Sequence, residues 1–137
     1  MAGDAGAALV EFALFTPLLA LLVFGMIDFG FMINRDTMIN NAAREGAREG
    51  SVNPDQAAIQ SVVMTSLSDL PASAITVTVA CRKPDDTACS NFNNDAKPGG
   101  VVIVTVSYAH RWLTFVPSVV GLDNPFTLRK TTEMRIE

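Results

Sequence analysis

The sequence predicts an α+β protein in which one long N-terminal helix precedes a short second helix and a small antiparallel sheet. Three observations support this class. The chain of 137 residues is almost uniformly apolar from Ala7 to Phe31, and an apolar period of three to four residues, typical of a helix, continues to about Gly50. A period of two residues, typical of strands, begins at Ile75. The length allows one domain in addition to the apolar segment.

The apolar segment Ala7–Phe31 is long enough to span a bilayer. At about 1.5 Å per residue, about 20 helical residues match a hydrocarbon core of about 30 Å. A cleaved secretory signal is the alternative. However, residues 1–6 contain no Lys or Arg, the run exceeds the about 7–15 apolar residues of a signal peptide, and no Ala-x-Ala site follows it. We therefore predict a membrane anchor surrounded by lipid.

The second half of this helix is predicted to bury a stripe of small residues. Small and apolar side chains recur there at helical spacing, and polar side chains occupy the opposite face. Small residues allow a helix to lie close against a sheet or another helix. The stripe consists of Met38, Ile39, Ala42, Ala43, Gly46, Ala47 and Gly50.

A second helix should begin shortly after Gly50. Asn53 is a suitable N-cap and Pro54 a suitable first helical residue. Pro71 should end this helix, because proline interrupts helical hydrogen bonding. Its predicted core face consists of Ile59, Val63, Leu67 and Leu70.

The remaining chain is predicted to form the sheet and its connections. A half-buried strand begins at Ile75, and the polar segment Arg82–Gly100 should be a long loop. Val101–Tyr108 is apolar on both faces and should be the central strand. Residues 126–136 alternate between apolar and polar and should form an amphipathic final strand. Between these two strands, the apolar segment Trp112–Val120 is expected to be a crossing loop that caps the sheet.

Several function classes are disfavoured by composition and motifs. The net charge is −4 and the basic residues are scattered, whereas a nucleic-acid surface needs a clustered basic face. The sequence has no P-loop, HExxH or nucleophile-elbow motif. His110, the single histidine, is expected at a strand end rather than as a general base. We therefore predict no enzymatic activity, no catalytic residue and no cofactor.

Cys81 and Cys89 are the only two cysteines. An even number of cysteines in a small domain behind an export anchor predicts a disulfide and an oxidising compartment. A zinc site is the alternative, but two thiols and the distant His110 do not complete a tetrahedral set. No metal site is therefore predicted.

Two carboxylates interrupt the apolar run, Glu11 near its start and Asp28 near its end. Asp28 is either a buried ionisable group or, because it lies near the end of the run, a side chain that reaches the membrane interface, and the second is expected. A carboxylate deep in a bilayer costs about 2.5–3.5 kcal/mol on insertion scales, so such a residue is a functional hypothesis by default. The alternative for Glu11 is a tolerated charge at the membrane edge. Its position five residues after Gly6 and directly before Phe12 favours a function.

This spacing of Gly6, Glu11 and Phe12 resembles the processing site of type IV pilin-like proteins, where a prepilin peptidase cuts after the glycine. Three further segments are similar to the TadE family of pseudopilins of the tight-adherence (Flp-type, type IVb) pilus system. They are IDFG at 27–30, NAAREGAR at 41–48 and MRIE at 134–137. The resemblance implies cleavage between Gly6 and Ala7, with a leader at 1–6, a transmembrane part at 7–31 and an exported pilin-like globular domain at 32–137.

The resemblance also implies a function and a set of partners. The chain would be a minor pilin, a structural and assembly component that acts by helix packing. Its partners would be another pseudopilin, the major Flp pilin, the prepilin peptidase and the inner-membrane assembly platform. It would lie in the inner membrane as a single-pass protein and enter the extracellular pilus. Glu11 would neutralise the new amine of Ala7 on its own chain or on a neighbour.

Orientation and processing each have an alternative. Arg35, Arg44 and Arg48 follow the apolar run, so the positive-inside rule alone would keep that side in the cytoplasm. The cysteines and the family resemblance favour export, and we predict export. The alternative function is an uncleaved bitopic membrane-anchored binding or adaptor module.

Overall fold

The computed structural model of the chain describes residues 2–137, and for residues 2–5 the backbone alone. The predicted α+β class, with a long apolar first helix, a short second helix and a three-stranded antiparallel sheet, is confirmed. The elements follow in the order α1 (Ala2–Val52), α2 (Gln56–Ser66), a 3-10 turn (Ala72–Ala74), β1 (Ile75–Arg82), α3 (Phe92–Asp95), β2 (Val101–His110), α4 (Val116–Val119) and β3 (Phe126–Arg135).

The described residues form two compact units, and α1 contributes to both. The first, here called the helix unit, combines the chain up to Ile33 with Arg111–Phe126. The second, here called the sheet unit, combines Asn34–His110 with Thr127–Glu137. Each unit has its own buried residues.

The core of the sheet unit includes the small-residue stripe of α1. Ile39, Ala42, Ala43 and Ala47 are at most 1% exposed, which confirms the predicted face. Gly46 and Gly50 are required by close packing. A Cβ on Gly50 would lie 2.8 Å from both Ile59 Cδ1 and Val102 Cγ2, and one on Gly46 would collide with Val63 Cγ2. The two glycines therefore let α1 approach α2 and β2 closely.

The sheet has the order β1-β2-β3, so β2 is the central strand, as predicted. β1 and β2 are antiparallel, with a register from Ile75 opposite Tyr108 to Arg82 opposite Val101. Val102, Val104 and Val106 are fully buried. These three side chains lie on one face of β2, whereas Val101 and Ile103 on the other face are half-buried.

The start of α2 differs from the prediction. Asp55, not Asn53, is the N-cap, and its carboxylate accepts hydrogen bonds from the N–H groups of Ala57 and Ala58 at 3.3 and 3.4 Å. Asn53 instead bonds to Glu49 at the end of α1. The reason is that α1 extends to Val52, which shifts the cap by two residues. The four predicted core residues are buried, namely Ile59, Val63, Leu67 and Leu70. The prediction that Pro71 ends the helix is wrong, because α2 ends at Ser66, so Leu67 and Leu70 lie beyond it.

Both predicted loops contain helical turns. The polar segment after β1 includes α3, where the Asn91 side chain accepts a hydrogen bond from Asn94 N at 3.3 Å. The segment between β2 and β3 includes α4 and groups with the first part of α1 in the helix unit. The expectation that this segment caps the sheet stays a prediction.

Candidate membrane anchor and its buried aspartate

From Leu9 to Ile33, α1 exposes its large apolar side chains. Apart from Met32, which is half-buried, their fractional exposures lie between 41% and 73%. The most apolar window of 18 residues has a mean hydropathy of 2.3, and none of it is buried. Among the described residues, α1 is the one helix whose length and composition suit a membrane span. A surface this apolar is unfavourable in water at about 25 cal/mol per Å². It is compatible with a membrane anchor.

The predicted processing residues lie together near the start of α1. Gly6, Ala7 and Glu11 are exposed, and Phe12 is 70% exposed. Because Ala7 and Glu11 are four residues apart in one helix, they lie on the same face, about 6 Å apart along the axis. A Cβ added to Gly6 would meet no atom within 4 Å, so packing does not explain the glycine. Cleavage after Gly6 and the function of Glu11 and Phe12 stay predictions.

Asp28 is fully buried although its neighbours on α1 are exposed. Its Oδ1 accepts hydrogen bonds from the backbone N–H groups of Leu113 at 2.8 Å and Thr114 at 3.2 Å. Its Oδ2 accepts one from the Thr114 hydroxyl. Of the two interpretations of Asp28, the structure therefore shows the buried ionisable group. Three donors that the sequence pattern did not reveal hold its carboxyl group inside the protein.

Aromatic packing secures the segment that binds Asp28. Trp112 is 7% exposed, and its ring lies 5.9 Å from Phe29 and 6.0 Å from Phe126, measured between centroids. Its Nε1 donates a hydrogen bond to the carbonyl of Asp123 at 2.7 Å. Asp28 and Phe29, adjacent on α1, thus hold successive parts of the same loop. The IDFG segment at 27–30 contains both residues, and this was the one sequence signal that pointed here.

In the sheet unit, the carboxylate of Asp95 lies close in sequence to a disulfide. Cys81 and Cys89 are joined by a disulfide, with their Cα atoms 5.3 Å apart. The Asp95 carboxylate accepts hydrogen bonds from the N–H groups of Asn91 at 3.1 Å and Ser90 at 2.8 Å, which lower the pKa of Asp95 below its ordinary value. These contacts order the chain directly after the disulfide.

The turn inside the disulfide loop is held in a similar way. Asp85 accepts hydrogen bonds from the hydroxyl and the N–H of Thr87, at 2.7 and 3.1 Å, and these lower the pKa of Asp85. Asp86 follows with a positive φ of 66°, which suits a tight turn. Both aspartates are exposed, so this turn faces solvent.

Comparison with known protein families supports the resemblance seen in the sequence. A family model described as TadE-like protein matches residues 6–48. The match begins at Gly6, includes Glu11, Phe12 and Asp28, and ends within the small-residue stripe of α1. The similarity to the TadE-like family is therefore confirmed over this segment. No curated protein and no solved structure matches the chain significantly.

Proposed function

We propose that the protein is a TadE-like minor pilin, a structural and assembly component of a tight-adherence pilus and not an enzyme. One observation carries the proposal. An exposed apolar helix of membrane length begins with Gly6, Glu11 and Phe12, and these residues lie inside the segment that matches the TadE-like family. The family connects the chain with a Tad pilus, and the geometry supports helix packing as its mode of action.

The first step would be cleavage between Gly6 and Ala7 by a prepilin peptidase. This step would create a positive amine on Ala7, one helical turn before Glu11 and on the same face of α1. In hydrocarbon, pairing this amine with a carboxylate avoids two isolated charges. Glu11 would pair with the amine of its own chain or, between packed helices, with that of a neighbour. The pair would set the register between subunits.

The second step would be packing of the apolar helix against other pilin helices. The exposed side chains from Leu9 to Ile33 supply the contact surface. The partners would be another pseudopilin and the major Flp pilin, with the inner-membrane platform driving extraction from the membrane. The exported side would carry the sheet unit, whose disulfide suits an oxidising compartment.

The N-terminus of the protein in its native membrane tests this proposal. We expect intact mass and N-terminal sequencing to find Ala7 as the first residue. Gly6→Leu should abolish cleavage, because the peptidase site is lost while the helix gains a side chain in open space. Gly30→Leu is the matched control. A Cβ at Gly30 also meets no atom within 4 Å, so this variant should be cleaved normally.

An uncleaved anchor is the rival function. A native N-terminus at Met1 in cells that contain the peptidase would support that rival. The protein would then be a stationary membrane-anchored adaptor, and Glu11 a charge at the membrane edge.

A further inference from the structure

We propose that the segment Trp112–Gly121, here called the apolar loop, inserts into the bilayer boundary beside α1 and forms a second membrane contact. The inference rests on the proposed membrane anchor. It assigns lipid as the surroundings of a segment far from the N-terminal helix in sequence. Four observations carry it, namely depth, exposed apolar side chains, absence of charge and backbone hydrogen bonding.

The depth of the apolar loop follows from its contacts with α1. Leu113 and Thr114 bond to Asp28, and Trp112 packs on Phe29. Asp28 lies 21 residues after Ala7, which corresponds to about 32 Å of helix, close to the thickness of a hydrocarbon core of about 30 Å. The apolar loop is therefore held at the level where the predicted span 7–31 leaves the hydrocarbon.

The apolar loop exposes large apolar side chains at this level. Leu113, Phe115, Val119 and Val120 are 63–68% exposed. Four such residues within eight positions expose more apolar surface than a water-facing loop normally does. At the membrane boundary, the same side chains gain about 25 cal/mol per Å² of apolar area removed from water.

The apolar loop itself and the apolar part of α1 that it contacts expose no charge. Asp28 is the single charged residue within segments 12–33 and 112–122, and it is buried. A protein interface normally has a polar rim around its apolar core. Here the apolar surface instead continues onto α1, which favours lipid over a protein partner. The charged residues Arg111 and Asp123 flank the apolar loop and are exposed, as expected for side chains that reach toward head groups.

The backbone of the apolar loop is suited to a medium without water. The N–H groups of Leu113 and Thr114 donate to Asp28, and that of Val116 donates to Thr114 Oγ1 at 3.2 Å. The N–H groups of residues 119–122 donate to the carbonyls of residues 115–118. Non-helical backbone is tolerated at membrane depth only when its polar groups are satisfied by the protein. Asp28 thus supplies the acceptors that the start of the loop would otherwise lack.

A tryptophan placed on the apolar loop tests the inference in the full chain. Val120→Trp and the control Val52→Trp make the same change at two exposed valines, and Val52 lies 21 residues beyond the predicted span. Both variants are reconstituted in phosphatidylcholine vesicles whose lipids carry bromine near the carbonyl end of the acyl chains. We expect the added emission of Val120→Trp to be blue-shifted and largely lost to bromine quenching. The added emission of Val52→Trp should remain, against the common background of Trp112.

A third variant separates this inference from the anchor proposal. Phe15→Trp places the reporter inside the predicted span, eight residues after Ala7, with a side chain that is 68% exposed in the protein. If Phe15→Trp is quenched by mid-chain bromine but Val120→Trp is not quenched by any bromolipid, the anchor stands and the inference is wrong. That outcome includes a loop covered by a second copy or by another protein. If Phe15→Trp itself escapes quenching, both the anchor and the inference fail.

Discussion

At the scale of single residues, Asp28 joins two parts of the chain that are distant in sequence. Its carboxyl group accepts hydrogen bonds from Leu113 and Thr114, 85 and 86 residues away. A buried N–H group that loses its acceptor costs about 1–3 kcal/mol, whereas a satisfied one contributes about 1 kcal/mol. Asp28 therefore affects stability mainly because its removal would leave the N–H groups of Leu113 and Thr114 without an acceptor.

Asp28→Ala is expected to release the start of the apolar loop. Two backbone N–H groups would lose their acceptor, at roughly 1–3 kcal/mol each. Limited proteolysis of the protein in detergent micelles should then cut near Leu113, and the Trp112 emission should shift to longer wavelength. Asp28→Asn retains the Oδ1 acceptor and should show a much smaller effect. Equal protease resistance of Asp28→Ala and the wild type would refute the assignment.

Asp95 predicts a pH dependence of stability. Hydrogen bonds from the N–H groups of Asn91 and then Ser90 lower the pKa of Asp95 in the folded protein. A carboxyl group with a depressed folded pKa stabilises the fold fully above its unfolded pKa of about 4, and the contribution is lost as the pH falls through the folded pKa. Hydrogen bonds from Thr87 also lower the pKa of Asp85, so its contribution to stability is lost in the same direction of pH.

Denaturant unfolding of the full chain in micelles at pH 7 and pH 3 measures this contribution. Asp95→Asn should destabilise the protein at pH 7 and narrow the stability difference between the two pH values. The narrowing should be partial, because Asp85 continues to titrate in the same direction. If the stability difference between pH 7 and pH 3 is the same in Asp95→Asn as in the wild type, the hydrogen bonds to Asp95 do not contribute to the pH dependence of folding.

At the scale of elements, the second half of α1 packs closely because two of its residues have no side chain. Gly46 and Gly50 lie where a Cβ would collide with α2 or β2. The two glycines differ in how easily the contacting atoms could move aside. At Gly46 the overlap is the closer one, and the contacting atom is a methyl group of the β-branched Val63, whose χ1 is stiff. At Gly50 the nearest atoms, Ile59 Cδ1 and Val102 Cγ2, lie at 2.8 Å, and Ile59 Cδ1 is the far end of a flexible side chain.

Gly46→Ala is therefore expected to destabilise the sheet unit more than Gly50→Ala. Overpacking typically costs about 1–3 kcal/mol, and the gain in helix propensity from glycine to alanine, about 1 kcal/mol, offsets only part of it. Thermal unfolding followed by circular dichroism measures the order. Gly30→Ala makes the same change on α1 where a Cβ meets nothing within 4 Å, so it should cause no loss. Equal stability of Gly46→Ala and Gly30→Ala would contradict this account of the stripe.

At the scale of the whole molecule, the proposed function depends on how chains meet rather than on a reaction within one chain. The charged group that would govern this meeting is Glu11, which is exposed on α1 and lies on the same face as Ala7. In a membrane-embedded contact between helices, an amine without a partner would cost about 3–5 kcal/mol, as for a broken buried ion pair.

Glu11→Gln should therefore impair assembly and leave processing intact. The change keeps the shape of the side chain and removes its charge. We expect normal cleavage after Gly6 and normal membrane insertion, but a sharp fall in co-purification with the partner pseudopilin and in piliation. Glu45→Gln removes the same charge from an exposed position of α1 outside the predicted span and serves as the control. Wild-type piliation with Glu11→Gln would favour the interpretation of Glu11 as a membrane-edge charge.

The sequence by itself determined the parts of this protein that follow from periodicity. The buried stripe of α1, the core face of α2 and the central position of β2 were all predicted, because burial on one face leaves a repeat that is visible along the chain. The motif at Gly6 and Glu11 was equally visible, since a charge in an apolar run is conspicuous.

Tertiary structure decided the rest, because its determinants are backbone groups and long-range contacts. Asp55 became the N-cap of α2 because α1 continues to Val52, and several neighbouring residues were chemically suited to that position. The burial of Asp28 depends on N–H groups at Leu113 and Thr114, which every sequence contains and no side-chain pattern marks. Only the fold brings these donors to Asp28, near the end of the predicted span 7–31, where one carboxyl group satisfies them.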